Sequence, residues 1–265
     1  MNNLDIYCVT NKILPQLNET DYNIGWVGKE KPPSNYICCN SGDNIFYKEK
    51  FYSELTFQYW FWKNRLDLKS SKWIGFCQRR RFWANKNLTE KDINSENYYK
   101  YLLKFIPENE NNFESIICNP INVNGVKKMK MIKRGFKSLL KDPSIFFNNS
   151  KQTINFHFDM HHGHGNLKKA INLIKYEDRN DFFDYVNTST IYNPHIMFIA
   201  KPKIINKWFE NLFSWLFECE KIFQEKDLRG YDTQRLYAYL AERFLSFWFK
   251  KHTKYIEKPW IFVDQ

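Results

Sequence analysis

Apolar residues in this chain fall in short dense blocks, and their spacing changes from block to block. "NLDIYCVT" (3–10) mixes apolar and β-branched residues and gives way to Asn11-Lys12, which predicts a strand. "SELTFQYWFWKN" (53–64) predicts a helix, with Ser53 as its cap and Glu54 in the favourable first turn. Its apolar side chains go nearly all the way round, so it is expected to be buried on most sides. "KWIGFC" (72–77) is short and does not alternate, the pattern of a strand at the centre of a sheet covered on both faces. "FESIICNPI" (113–121) and "NPHIMFIAKP" (193–202) predict further strands, the second closed by Pro202.

Helical spacing dominates elsewhere. In "KKMKMIKRGFKSLLK" (127–141), Met129, Ile132, Phe136, Leu139 and Leu140 share one face, and seven Lys and Arg residues take the others. Ile205, Trp208, Phe209, Leu212, Leu216, Cys219 and Phe223 make one apolar stripe. A last helix is expected from near Asp232, carrying Leu236, Leu240, Phe244, Phe247 and Trp248. Residues 85–115 are polar and read as a surface excursion with one short helix around "YYKYLLKF"; the variable, partly helical region extends over 85–151. Strands alternating with helices, with no Gly/Ser linker and no internal repeat, predict one α/β domain over 1–265.

Composition narrows the partners. The chain has 265 residues, 18% of them aromatic, and a formal net charge of +11. It is a packed protein whose partner is expected to be anionic: nucleic acid, a phosphate-bearing small molecule or a membrane face. The six cysteines form no CxxC pair, and the N-terminal stretch, with Asp5 and no basic run before an apolar one, does not read as a signal peptide. Reduced thiols and a cytoplasmic location are the expectation. No uncharged apolar run of about 18 residues is present, so no spanning helix is expected.

Candidate chemistry clusters in four places. Arg79-Arg80-Arg81 follow the predicted strand 72–77, at the end where open α/β sheets bind ligands, and guanidinium forks match phosphate oxygens. The alternative is that one arginine pairs with an acid such as Asp43 or Glu54. Asp43 and Asn44 follow a glycine in "SGDNI", suited to sugar hydroxyls or to an Asx turn. "NFHFDMHHGHG" packs Asp159, His161, His162 and His164 into six residues, read as a polar active-site loop, a solvated cluster, or a metal site of no standard spacing. Arg235 and Glu242 lie seven apart on a face opposite the apolar stripe, lining a cleft or solvated, with Arg243 between the two faces. The basic helix 127–141 suits either an anionic membrane surface or plain solvation of its lysines.

The order of these features resembles the DUF4422 family, found in bacterial capsule and lipopolysaccharide clusters and regarded as a glycosyltransferase domain. The matching stretches are "TNK" at 10–12, "SGDNIF" at 41–46, "YSELTFQYWFWKN" at 52–64, "GFCQRRRFW" at 75–83, His162, "MFI" at 197–199 and "YLAERFLSFW" at 239–248. They span nearly the whole chain, and the 52–64 helix is the most specific of them. Departures are Asn11 where the family has His, Gln78-Arg79 where it has His-Tyr, and Ile196 where it often has Asn; 119–151 has no clear counterpart.

The resemblance implies a GT-A-like, Rossmann-type domain with a mostly parallel central sheet and C-terminal helices. It implies transfer of a sugar from a nucleotide donor, expected to be UDP-linked, to an oligosaccharide or lipid-linked glycan. Arg80 and Arg81 would neutralise the donor diphosphate. Thr10, Asn11, Lys12, Asp43, Asn44 and Lys63 would hold the rest of the donor. Asp159 and Glu242 are the candidate bases and His162 an orienting group. Gln78, Arg79, His161, His164, Arg235 and Arg243 would line the cleft or meet the acceptor. No D-x-D motif is present, so metal independence is expected, with Mn or Mg as the alternative. Peripheral contact with the cytoplasmic face of the inner membrane fits a lipid-linked acceptor, and no nucleic acid is expected. The rivals are a basic nucleic-acid-binding module and a metal-dependent hydrolase using the "DMHHGHG" segment.

Overall fold

A computed structural model describes residues 3–88, 93–94 and 96–264. Residues 89–92 and 95 of the expected excursion lie outside the described residues. The strands are β1 Leu4–Thr10, β2 Asn23–Trp26, β3 Tyr36–Cys38, β4 Trp73–Gln78, β5 Arg81–Trp83, β6 Ser115–Cys118, β7 Ile121–Asn122, β8 Ile191–Tyr192, β9 Phe198–Ala200, β10 Tyr255–Lys258 and β11 Trp260–Phe262. The helices are α1 Glu49–Tyr52, α2 Leu55–Asn64, α3 Lys128–Lys141, α4 Ile154–His162, α5 Asn166–Ile171, α6 Tyr176–Thr188, α7 Pro202–Ile222, α8 Tyr231–Gln234 and α9 Leu236–His252.

The chain divides into two compact units. The first comprises Met1–Asn119, His195–Glu210 and Trp248–Gln265. Its sheet runs β10–β6–β9–β4–β1–β2–β3. β1 pairs in parallel with β2 and with β4, and β2 with β3, while β9 runs antiparallel between β4 and β6. The chain therefore builds outward from β1 to β3, then reverses and places β4 on the other side of β1. That reversal makes the carboxyl ends of β1 and β4 a switch point in strand order, the place where ligands bind in doubly wound sheets.

Aromatic side chains fill the layers. α2 lays Phe57 and Phe61 against Tyr7 of β1, with Phe61 also edge-on to Phe76 of β4. Leu55 to Phe61 are all buried, as the all-round apolar pattern predicts. Ser53 is not its cap: it ends α1 at φ 52, and Glu54 occupies the cap position without a side-chain bond. On the β9 side, Phe198 meets Phe76, Trp208 and Phe249. Pro202 opens α7, a first-turn position where the missing N–H costs nothing. "YYKYLLKF" gives only a short 3-10 turn, Tyr98–Tyr101. β10 and β11 extend the sheet beyond the two long helices that sequence periodicity places last.

The second unit comprises Pro120–Pro194 and Asn211–Phe247. It is helical, with the short β7–β8 pair. Trp215 Nε1 donates to the Ala170 carbonyl at 2.7 Å, and Phe182 packs on Phe244 and Phe247. The apolar stripe of α7 is buried throughout, from Ile205 to Cys219. Among the described residues no helix is long and apolar enough to cross a membrane.

Candidate functional site

The carboxyl edge of the parallel strands collects most of the predicted donor-binding residues. Pairing of Val9 with Gln78 puts the ends of β1 and β4 side by side, and the Arg79 backbone N–H donates to the Val9 carbonyl at 3.2 Å. Thr10 is buried and closes a tight turn: its Oγ donates to the Lys12 carbonyl and accepts from the Lys12 N–H. Asn11 and Lys12 are exposed beyond it.

The three arginines form a hairpin tip. β4 ends at half-buried Gln78, Arg79 and Arg80 make the turn, and Arg81 returns antiparallel as the first residue of β5. Arg80 pairs with Asp264 at 2.5 Å, so the acid is neither Asp43 nor Glu54. Arg80 and Arg81 lie over the Phe262 ring at 4.7 and 5.5 Å. The Nε atoms of both are buried without a hydrogen-bond partner among the described residues. Two adjacent guanidinium groups, each with an unmatched buried donor, suit an anion with several oxygens.

After β3, the loop 41–45 is fixed by α2. Gly42 sits at φ 63, and a Cβ there would come within 2.1 Å of Asn64 Oδ1. Only glycine fits. Asn64 then brackets Asp43, accepting from its N–H at 3.2 Å and donating to its carbonyl at 2.8 Å. Asp43 is exposed and its Oδ1 accepts from the Tyr59 hydroxyl at 3.1 Å. Burial and the Asp43 charge push Tyr59 up to about 12, so it stays a donor. Asn44 makes an Asx turn, accepting from the Phe46 N–H. Lys63 lies over the Trp62 ring at 3.5 Å, one turn after Tyr59.

In the second unit the "DMHHGHG" segment is largely helix, not loop. Thr153 caps α4 by accepting from the Phe156 N–H, and the helix runs to His162 before Gly163 turns at φ 97. Asp159, with its side chain 8% exposed, is fully engaged. Its Oδ1 accepts from the Gly165 N–H at 2.9 Å, and its Oδ2 meets Ser138 Oγ at 3.2 Å and His164 Nδ1 at 2.8 Å. Lys141 Nζ lies 3.0 Å from His164 Nε2. A donor at Nε2 and a carboxylate at Nδ1 together hold His164 in one tautomer. Asp159 also borders a cavity of about 530 Å³ walled by polar side chains such as Lys151, Thr153, Asn155 and Asn187 and by the apolar Ile145 and Phe156.

His162 and its neighbours are a separate, buried group. His162 Nδ1 meets the Asp232 carbonyl at 2.9 Å, and burial with the nearby Arg243 charge pulls the ring down to about 4. His161 meets the His157 carbonyl and stacks on His157, itself pulled down to about 2 by burial and Arg243. Glu242 does not share a helix face with Arg235, as their spacing leads one to expect; its side chain is 15% exposed and meets Arg243. Arg243 is 1% exposed, is hydrogen-bonded to Glu242, and lies 4.1 Å over the Tyr192 ring. Arg235 lies outside α9, in the junction after α8.

Sequence reasoning missed Tyr59, Asn64, Phe262, Asp264 and His157. Tyr59 and Asn64 fall inside the aromatic helix pattern, but only the fold shows that they reach the 41–45 loop. Phe262 and Asp264 carry no motif. At the donor edge Asp43 accepts from the Tyr59 hydroxyl and Asp264 pairs with Arg80; among the described residues no group of three His, Cys, Asp or Glu side chains is placed to hold a metal ion.

The model of a domain of unknown function, DUF4422, matches residues 5–253. Among solved structures, the apo structure of the bifunctional glycosyltransferase WbbM superposes with a TM-score of 0.71 at 21% identity, covering all of this chain and 46% of that one. The chain thus spans about half of WbbM, and shares with it an α/β fold with a mixed central sheet. A second structure, the mannosyltransferase Ktr4p from S. cerevisiae, aligns over 91% of this chain and 65% of its own at 12% identity, with a TM-score of 0.27. No curated protein matches. The chain belongs to the DUF4422 family.

Proposed function

We propose that this DUF4422 protein is a glycosyltransferase that moves a hexosyl or related sugar from a nucleotide-sugar, UDP-linked in our reading, to a growing capsular or lipopolysaccharide glycan in the cytoplasm. The observation that carries the reading is the pair Arg80 and Arg81 at the strand-order reversal beside β1, each with a buried Nε lacking a partner. A diphosphate supplies the acceptors. Arg80 has Asp264 as a competitor, but that pair is exposed, 36% and 82% for the two side chains. Exposed ion pairs contribute about 0–1 kcal/mol, so Asp264 holds Arg80 only weakly against a multiply charged diphosphate with several acceptor oxygens.

Thr10, Asn11, Lys12, Asp43, Asn44 and Lys63 are the proposed contacts for the remainder of the donor, with Gln78 and Arg79 beside the sugar. As charge develops on the leaving diphosphate, the guanidinium groups stabilise it without moving. In the second unit, Asp159 orients His164. We assign His161, His162, Glu242 and Arg243 to the support of that unit rather than to the reaction. Burial of Phe57, Phe61, Phe76 and Trp208 leaves those rings no part in stacking bases, which disfavours the nucleic-acid reading.

Calorimetric titration with UDP, GDP, CMP and their sugar conjugates, with and without manganese, tests this. One nucleotide diphosphate is expected to bind, and Arg80→Ala with Arg81→Ala to weaken it by about 10- to 100-fold. Unchanged affinity in that double variant sinks the assignment.

A further inference from the structure

α3 divides its surface in three. Met131, Gly135 and Ser138 are buried and form the seam against α4. Gly135 sets the closeness of that seam: a Cβ there would lie 3.0 Å from the Phe156 ring and 3.2 Å from Met160 Cγ. The next face round is apolar yet points to solvent. Met129, Ile132, Phe136 and Leu140 are 77%, 47%, 56% and 66% exposed. At about 3.6 residues per turn these four fall on one stripe. Beyond the stripe come Lys130, Lys133, Arg134, Lys137 and Lys141. Phe147, just past the helix, is 81% exposed.

The charge of this region is one-sided. Residues 120–158 hold eight Lys and Arg and a single acid, Asp142, which Lys151 already pairs at 2.8 Å; Arg134 pairs with Asp232 at 3.2 Å and Lys141 meets His164, so the excess in the row beside the stripe rests on Lys130, Lys133 and Lys137. Single exposed apolar residues need no explanation, but a continuous stripe on one helix marks an interaction surface. Its occupant must accept apolar side chains and cations side by side. A second copy meeting stripe to stripe would bring two lysine rows together. An anionic bilayer offers acyl chains at one depth and phosphates just above it.

We propose that α3 lies in the plane of an anionic membrane surface, with Ile132, Phe136, Met129 and Leu140 at the headgroup–acyl boundary and the lysine row on lipid phosphates. The inference is independent of the sugar-transfer reading, because Met129, Ile132, Phe136, Leu140, Lys133 and Lys137, on which its test rests, take no part in the proposed donor or acceptor contacts.

Sedimentation of the full chain with vesicles of phosphatidylglycerol and phosphatidylcholine, against phosphatidylcholine alone, tests it. Binding is expected to the anionic vesicles, to weaken with added salt, and to fall at least tenfold in Phe136→Ser with Leu140→Ser and in Lys133→Glu with Lys137→Glu. A polarity-sensitive dye on Phe136→Cys is expected to shift to the blue on the same vesicles, a readout that needs no loss of function. Absence of anionic-vesicle binding, or no dye shift, overturns the proposal. So does a dimer in ultracentrifugation that F136S/L140S converts to monomer, which would give the stripe to a second copy.

Discussion

The ring of His162 lies face to face with that of Tyr239, centroids 3.7 Å apart and planes 19° from parallel. The stack is only 8% open at the histidine, and the ring is pulled down to about 4, first by burial and then by Arg243. His157 is pulled to about 2 for the same two reasons. Both values lie below the ordinary 6.5, so the unfolded chain takes up these protons first. Stability is therefore full above pH 6.5 and falls as pH drops, towards 4 for His162 and towards 2 for His157. The loss at pH 4 is about 3 kcal/mol per ring. Urea midpoints measured from pH 7.5 to 4.5 are expected to fall steadily, and His162→Phe, which keeps the stack, to fall less steeply. A flat profile in the wild type would count against neutral buried rings.

Where a pattern is dense and its partners are local, the sequence was enough to find it. β1, α2, β4 and the stripes of α7 and α9 are where periodicity puts them, because each has one way to bury its apolar side chains. The arginine cluster was also legible as a strand-end feature. Its partner Asp264 was not, since it lies 184 residues away and only the β5–β11 pairing brings it near. α3 misleads for a physical reason. Its most apolar face is not its buried face, because Gly135 and Ser138 make the closer fit to α4. α4 hid behind its glycines, which end the helix after His162 instead of loosening the whole segment. Buried Arg243 was unreadable for the opposite reason: its ring and carboxylate partners exist only after folding.

Gly42→Ala tests how far the loop after β3 depends on α2. The new methyl group must displace Asn64, which donates to both the Asp43 and Trp60 carbonyls at 2.8 Å. The left-handed backbone adds roughly 1–2 kcal/mol, and disturbing the Asn64 bonds about 1 kcal/mol more. A melting-temperature drop and a parallel loss of nucleotide affinity are expected. Lost stability with unchanged affinity would remove Asp43 from the donor contacts.

Glu242 and Arg243 are expected to behave as a pair. Arg243 is buried with its Nε lacking a partner among the described residues, and its charge rests on Glu242, the Tyr192 ring and a 3.4 Å contact with His157 Nδ1. Removing Glu242 alone leaves that charge stranded. Breaking one side of a buried pair costs about 3–5 kcal/mol, and the 15% exposure of Glu242 places this case near the lower end. Glu242→Leu with Arg243→Met, which removes both charges, is expected to cost less than Glu242→Leu alone. Chemical denaturation of the three variants gives the comparison, and additive losses would mean that the two side chains act separately.

Asp264→Asn and Arg80→Ala should move nucleotide affinity in opposite directions. In the protein alone Asp264 holds Arg80 at 2.5 Å on an open surface, an arrangement worth at most about 1 kcal/mol. Removing the carboxylate charge lifts that competition, so a diphosphate is expected to bind up to about five times more tightly, the ratio that roughly 1 kcal/mol permits. Arg80→Ala removes the proposed ligand contact and weakens binding, and folding should be nearly unchanged in both variants because the pair is exposed. Titration of each with the same nucleotide separates two roles for Arg80. Opposite signs place it on the diphosphate. If both variants instead lower the melting temperature by several degrees and leave affinity alone, the Arg80–Asp264 pair is a clasp between β4 and the residues after β11, and the donor's phosphates lie elsewhere.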